Sequence, residues 1–137
     1  MKLITVYGSL LEGLGNWKWH LDNPESKKLG EHVIVGKFQM ISMGGFPGLI
    51  PDETMSEPRK IFVETYEVTD RVYNSIERLE GYPHFYGRTP IETPFGPSAV
   101  YTLSGSRYGA PSNDILVPED SEGIVNWRNY YLNRGRR

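Results

Sequence analysis

A chain of 137 residues and 15.6 kDa is one domain's worth and long enough to bury a core, so a single domain spanning residues 1–137 is expected. Hydrophobic residues at 38% and charged residues at 23% exclude a disordered chain and a membrane-embedded one, and a net charge of −2 supplies no field that would gather nucleic acid or an anionic membrane. The absence of Cys excludes disulfides, a Cys nucleophile and Cys-ligated metal centres, and it suits a reducing cytoplasmic location.

The first element expected in chain order is a strand at Leu3 to Tyr7, because Gly8, Ser9 and Glu12 cut the apolar run too early for a secretion signal. A loop is expected from there to about Gly30, followed by a strand from Val33 to Ile41 in which residues alternate between two faces. Gly44, Gly45, Pro47 and Gly48 make Met43 to Asp52 a turn-rich loop. Ile61 to Val68 is dense in β-branched and aromatic residues and reads as another strand, with Phe62, Glu64 and Tyr66 on one face. Thr69 or Asp70 offers an N-cap to a helix whose apolar face is marked by Val72, Ile76 and Leu79, and which Gly81 and Pro83 bring to an end. Pro97 to Leu103 reads as a strand and Ser104 to Val117 as a polar irregular stretch. Glu119 to Leu132 is a short helix or an extended arm carrying Trp127 and Tyr130. No window approaches the roughly 20 apolar residues of a membrane helix, and no period of 20 to 50 residues marks a repeat.

Two stretches can carry chemistry. Tyr7-Gly8-Ser9-Leu10, with Gly13, Gly15 and Asn16 behind it, lies where the first strand must turn. If Gly8 adopts a positive φ, successive N–H groups form a concavity for a carboxylate or phosphate, although such a turn taken alone is usually ligand-free. No Gly-Lys-Ser/Thr follows to make a P-loop, and Ser9 lacks the Gly-x-Ser-x-Gly elbow of a serine hydrolase. The second stretch is Glu80 at the helix end. The negative end of the dipole opposes its ionisation, and burial would add to that, producing a proton acceptor and donor suited to neutral pH. A lone Glu is more often a solvated one, and by the same helical phase Glu77 falls outside the apolar face. His20, His32 and His84 have no metal-ligand spacing. Trp17 and Trp19 can line a cleft or simply pack, and the tail Arg134, Arg136 and Arg137 is as a rule a frayed solvated end.

Together these stretches resemble the gamma-glutamylcyclotransferase-like superfamily, in its AIG2-like, gamma-glutamylamine cyclotransferase branch. The resemblance runs from Val6-Tyr7-Gly8-Ser9-Leu10 through Gly36, Phe46-Pro47-Gly48-Leu49 and Glu64-Thr65-Tyr66-Glu67-Val68. It continues in Leu79-Glu80-Gly81-Tyr82-Pro83 with Tyr86 and Arg88, and in Asn126-Trp127-Arg128 with Tyr130. Val63 stands where the family usually has Gly, and Ile76-Glu77 where it has Leu-Asp. What the resemblance implies is an α+β fold, a small mixed barrel or strongly curved sheet with flanking helices, and a pocket between the Tyr7 to Leu10 loop and Glu80. The implied activity converts a gamma-glutamyl amine or related amide to 5-oxoproline and free amine. Glu80 would act as general acid and base, and Tyr7, Gly8, Ser9, Leu10, Asn16 and Tyr86 would bind substrate. Because the nucleophile is the substrate's own amine, no metal or cofactor is implied. A non-catalytic binder of a small metabolite or nucleotide on the same fold would share every one of these motifs, whereas a protein-interaction domain built on the Trp17/Trp19 loop and the Arg-rich tail would bind no small molecule.

Overall fold

The computed structural model describes residues 1–103 and 115–134, the side chain of Arg134 excepted. Most of the stretch read as polar and irregular, and the end of the Arg-rich tail, lie outside the described residues. The chain runs β1 (Lys2–Val6), α1 (Gly15–His20), β2 (Ser26–Gly36), β3 (Phe38–Ser42), β4 (Pro47–Pro51), β5 (Arg59–Val68), α2 (Asp70–Glu80), β6 (Gly87–Thr93), β7 (Gly96–Thr102), β8 (Ile124–Val125) and α3 (Trp127–Arg134).

β5 is the axis of the molecule. β1 and β2 flank it antiparallel, and β8 pairs with its first residues in parallel. A strand enclosed in this way is buried on both faces, which is why Ile61, Val63, Thr65, Tyr66 and Val68 run almost without a polar interruption other than Glu64. The hairpins β3–β4 and β6–β7 form separate two-stranded sheets, so the β-structure is curled but not closed. A chain of hydrogen bonds through the buried hydroxyls of Thr5 and Thr65 stitches it together: His32 Nε2 meets Thr65 Oγ1 at 2.8 Å, Thr65 meets Thr5 at 2.8 Å, and Thr5 donates to Ser98 Oγ at 2.9 Å. Four strands, β2, β5, β1 and β7, are thereby joined across the curl. The α+β class with a strongly curved sheet is the fold the sequence resemblance implied. No helix among the described residues is long and apolar enough to cross a membrane.

α2 is capped as its sequence dictates: the Thr69 hydroxyl accepts the Val72 N–H at 3.4 Å, and Gly81 closes the C-terminus at φ 65°. Val72 and Ile76 enter the core, whereas Leu79, expected beside them, is 39% exposed.

Other expectations are corrected. Val33 to Ile41 is not one strand. The chain breaks at Lys37, where the Phe38 ring packs so tightly on Gly36 that a Cβ there would lie 2.5 Å from it. Met43 to Asp52 contains β4, whose residues Pro47 to Ile50 are all buried against β3 and β7. Pro47 and Gly48 serve close packing in it, while Gly44 and Gly45 form the expected turn, closed by the Met43 N–H on the Phe46 carbonyl at 2.9 Å. The loop to Gly30 holds α1, six residues with no side-chain cap and no buried residue, and the first part of β2. β6, which was not expected, completes the hairpin with β7 around Gly96 at φ 119°.

Candidate active site

The end of β1 and the end of α2 face each other across a cavity of about 180 Å³, smaller than the roughly 300–1,000 Å³ of drug-sized clefts. Glu80 lines it, as do Tyr7, Gly8, Ser9, Leu10, Asn16 and Tyr86, together with Thr5, Val6, Phe46, Pro47, Leu79, Phe85 and Tyr101. Trp17 packs against the core and Trp19 is 79% exposed, so neither Trp lines the cavity.

Burial is the main force on Glu80 and the charge of Glu77 the second; together they push its carboxyl up to about 7. Its place in the last turn of α2, at the negative end of the helix dipole, acts in the same direction. At neutral pH the group is therefore poised between acceptor and donor.

On the opposite wall, the turn after β1 is closed by the Leu11 N–H on the Gly8 carbonyl at 2.9 Å. Among the described residues the amides of Ser9 and Leu10 donate to no protein acceptor. Asn16 donates to Ser9 Oγ at 2.8 Å, fixing that side chain at the rim. The reason for glycine at position 8 differs from the one expected: its φ is not positive, but a Cβ there would lie 2.5 Å from Pro47 Cγ, so Gly8 permits a close approach rather than a left-handed turn.

The tyrosines divide in role. The Tyr7 hydroxyl donates to the Tyr101 carbonyl at 2.7 Å and accepts the Leu49 N–H at 3.1 Å, and the Tyr86 hydroxyl donates to the Pro47 carbonyl at 2.7 Å. Both rings are walls of the cavity whose hydroxyls hold backbone. Tyr101 is different: its buried hydroxyl meets no hydrogen-bond partner at good geometry among the described residues and lies beside the Glu77 carboxylate. Burial, with Glu77 beside it, raises its ionisation well above the ordinary range.

Glu77, expected outside the apolar face, is turned inward with its side chain 16% exposed. One oxygen pairs with Arg88 Nη1 at 3.1 Å, and the other is buried beside the Tyr101 hydroxyl with no hydrogen bond at good geometry among the described residues. Arg88 also donates to the hydroxyls of Tyr73 and Tyr82. Because Glu77 is one cause of the raised Glu80 ionisation, Glu77→Gln is expected to lower the pH at which Glu80 titrates. A ¹³C-labelled Glu80 carboxyl followed by NMR from pH 4 to 9 checks this, and an unmoved midpoint contradicts it.

A second carboxylate holds the turn from behind. Glu64, fully buried in β5, accepts the Glu12 N–H at 2.8 Å and the Tyr66 hydroxyl at 3.1 Å on one oxygen. Its other oxygen takes Arg128 Nη1 at 3.0 Å, with Lys28 Nζ at 3.6 Å. Arg128 also donates to the Glu12 carbonyl at 2.8 Å, so α3 is pinned to the segment that follows the turn. Among the described residues no group of three or more His, Asp or Glu is placed to hold a metal.

The chain matches the family model described as gamma-glutamyl cyclotransferase, AIG2-like, over residues 4–121. It belongs to this family. A protein of Vibrio cholerae named "Putative gamma-glutamylcyclotransferase" is 30% identical over 99 residues, covering 72% of this chain and 79% of that one. Among solved structures, an AIG2-like protein from Mus musculus superposes with a TM-score of 0.63 at 23% identity, covering 92% of this chain and 95% of that one. An uncharacterized protein from Pyrococcus horikoshii gives 0.71 at 21% identity, covering 100% and 98%. At these identities the two structures speak for the fold.

Within this AIG2-like cyclotransferase fold, Glu77, Tyr101 and Glu64 are the residues that sequence reasoning passed over. Glu64 carried a signal, a lone carboxylate inside an otherwise apolar strand, which demands a buried cation or several donors. Glu77 carried one in the helical phase: Val72, Tyr73, Ile76, Glu77 and Glu80 follow the i, i+1, i+4, i+5, i+8 pattern of a single face. Tyr101 carried none that distinguishes it from a core aromatic.

Proposed function

We propose that this chain converts a gamma-glutamyl amine, or a related gamma-glutamyl amide, to 5-oxoproline and a free amine. The observation that carries the reading is the pairing, across one small cavity, of a carboxyl that ionises at about 7 with a turn whose Ser9 and Leu10 amides meet no acceptor among the described residues. The name borne by the Vibrio relative points the same way.

In this reading the Ser9 and Leu10 amides and the Ser9 hydroxyl hold the substrate's α-carboxylate, and the Tyr101 hydroxyl donates to the γ-carbonyl oxygen as charge develops there. Glu80 takes a proton from the α-ammonium. The freed nitrogen attacks the γ-carbonyl carbon, closing the five-membered ring, and the bond to the leaving nitrogen breaks as Glu80 returns the proton to it. The ring nitrogen then sheds its second surplus proton through the same carboxyl, ionised again, to the departing amine, which leaves as an ammonium, so the step balances without a metal, a cofactor or a protein nucleophile. Folding the substrate back on itself is the cavity's main contribution, since well-oriented intramolecular reactions reach effective molarities of about 10⁵ to 10⁸ M.

The test is release of 5-oxoproline and amine in equal amounts by the purified protein from a panel of gamma-glutamyl amines and dipeptides. Equimolar products are the expected outcome. Saturable binding of these compounds with no product would instead mark a metabolite-binding module of the same fold.

A further inference from the structure

We infer that the cavity selects a leaving amine bearing an uncharged apolar group, alkyl or aryl, over one bearing a carboxylate or an ammonium. This rests on the cyclotransferase reading above and adds the identity of the group that departs.

A cavity of about 180 Å³ accommodates a glutamyl moiety and little more, so the leaving side of the amide must lie at the opening. The surface it meets there is apolar. Phe46 and Leu79, two of the large hydrophobic side chains that the fold leaves exposed, at 36% and 39%, both line this cavity. Phe46 packs edge-on to Phe85 with centroids 6.4 Å apart, and Phe85 to Tyr86 at 4.9 Å, so an aromatic ledge runs from the opening to the buried wall. Scattered exposed apolar residues need no explanation, but adjacent ones continuous with a cavity form a binding surface.

The charges point the same way. Among the described residues that line the cavity there is no Lys, Arg or His, and Glu80 is the sole carboxyl. Arg88, on the β6 side of α2, is occupied by Glu77, Tyr73 and Tyr82. An amino-acid leaving group would place its carboxylate on the ledge beside Glu80 with no cation among the described lining residues to meet it, and an unpaired charge taken out of water is costly. A leaving group with a distal ammonium finds no second carboxylate, because the remaining acid at this end of α2, Glu77, is already paired.

The experiment compares kcat/KM for 5-oxoproline release from gamma-glutamyl benzylamide, gamma-glutamylalanine and gamma-glutamyl-ε-lysine. It uses the wild-type protein and the Leu79→Lys and Phe46→Ala variants, each checked for folding by circular dichroism. The benzylamide is expected to be favoured at least about tenfold over both charged substrates, within the range one hydrophobic contact surface can discriminate. Leu79→Lys, which places a cation on an exposed position of the ledge, is expected to narrow the benzylamide-to-alanine ratio, and Phe46→Ala to narrow it by loss of contact. Turnover of the charged substrates as fast as the benzylamide, or a ratio unmoved in both variants, overturns the selectivity and leaves the cyclotransferase reading standing. No 5-oxoproline from any substrate overturns both.

Discussion

Glu80→Gln is expected to lower 5-oxoproline release by about 10²- to 10⁴-fold, the usual contribution of a positioned acid–base group, while the protein becomes more stable in alkaline buffer. The two effects have one physical origin. The carboxyl ionises near 4.5 as an ordinary Glu and at about 7 in the fold, so folding favours its protonated form. Its contribution to stability is intact below pH 4.5 and is lost progressively as pH rises through 7, leaving a penalty of roughly 2–3 kcal/mol above that once partial solvent screening is allowed for. Gln carries no charge and escapes the penalty. Urea unfolding at pH 4 and pH 8.5 checks this: wild type and variant should match closely at pH 4, and the variant should gain at pH 8.5. Equal stability at both values would mean that the carboxyl titrates as a solvated one, and the basis for its catalytic role would go with it.

Arg128→Met is expected to cost about 3 kcal/mol or more. Removing one partner of a buried ion pair leaves the other charge uncompensated, at a typical cost of 3–5 kcal/mol. Glu64 is fully buried and its nearer cation is Arg128, at 3.0 Å, while Lys28 at 3.6 Å shares itself with Glu12 and Glu31. The loss should be smaller when Glu64→Gln is combined with Arg128→Met, because the orphaned charge is then gone. Chemical denaturation of both single variants and the double variant forms a thermodynamic cycle that reads the coupling directly. Additive losses would place the value of Arg128 in its packing on Phe62, whose ring lies 5.4 Å from the guanidinium, rather than in the ion pair.

What the sequence made legible was whatever is encoded locally. α2 was legible from cap to cap because Thr69, Val72, Ile76 and Gly81 each specify their position through contacts within a few residues. β1, β5 and β7 were legible from runs of apolar and β-branched residues. β4 and β6 were not, because Pro47, Gly48 and Pro90 look like breakers in one dimension. In three dimensions Gly48 lies in β4, where an added Cβ would sit 2.2 Å from Leu103, and Pro90 pairs with Ala99 in a hairpin. The two halves of the cavity were visible as motifs, Tyr7 to Leu10 and Glu80, but their juxtaposition is a tertiary fact. The roles of Tyr7 and Tyr86 also depended on it: their hydroxyls are consumed by the backbone of Leu49, Tyr101 and Pro47, partners far off in sequence. Glu77 was misplaced because Leu79 was taken to define the apolar face. Had Tyr73 been counted with Val72 and Ile76, the face would have turned toward Glu80 and taken Glu77 in at its edge.

The central claim is that Glu80 is the group that moves the proton. Its most direct test is the pH dependence of kcat/KM for 5-oxoproline release from pH 5 to 9. The wild-type rate should rise with pH and level off above an inflection at about 7, the ionisation of Glu80 in the free protein, and the residual rate of Glu80→Gln should lack that inflection. An inflection near 7 that persists in Glu80→Gln, or a wild-type rate flat across the range, would assign the proton transfer to another group.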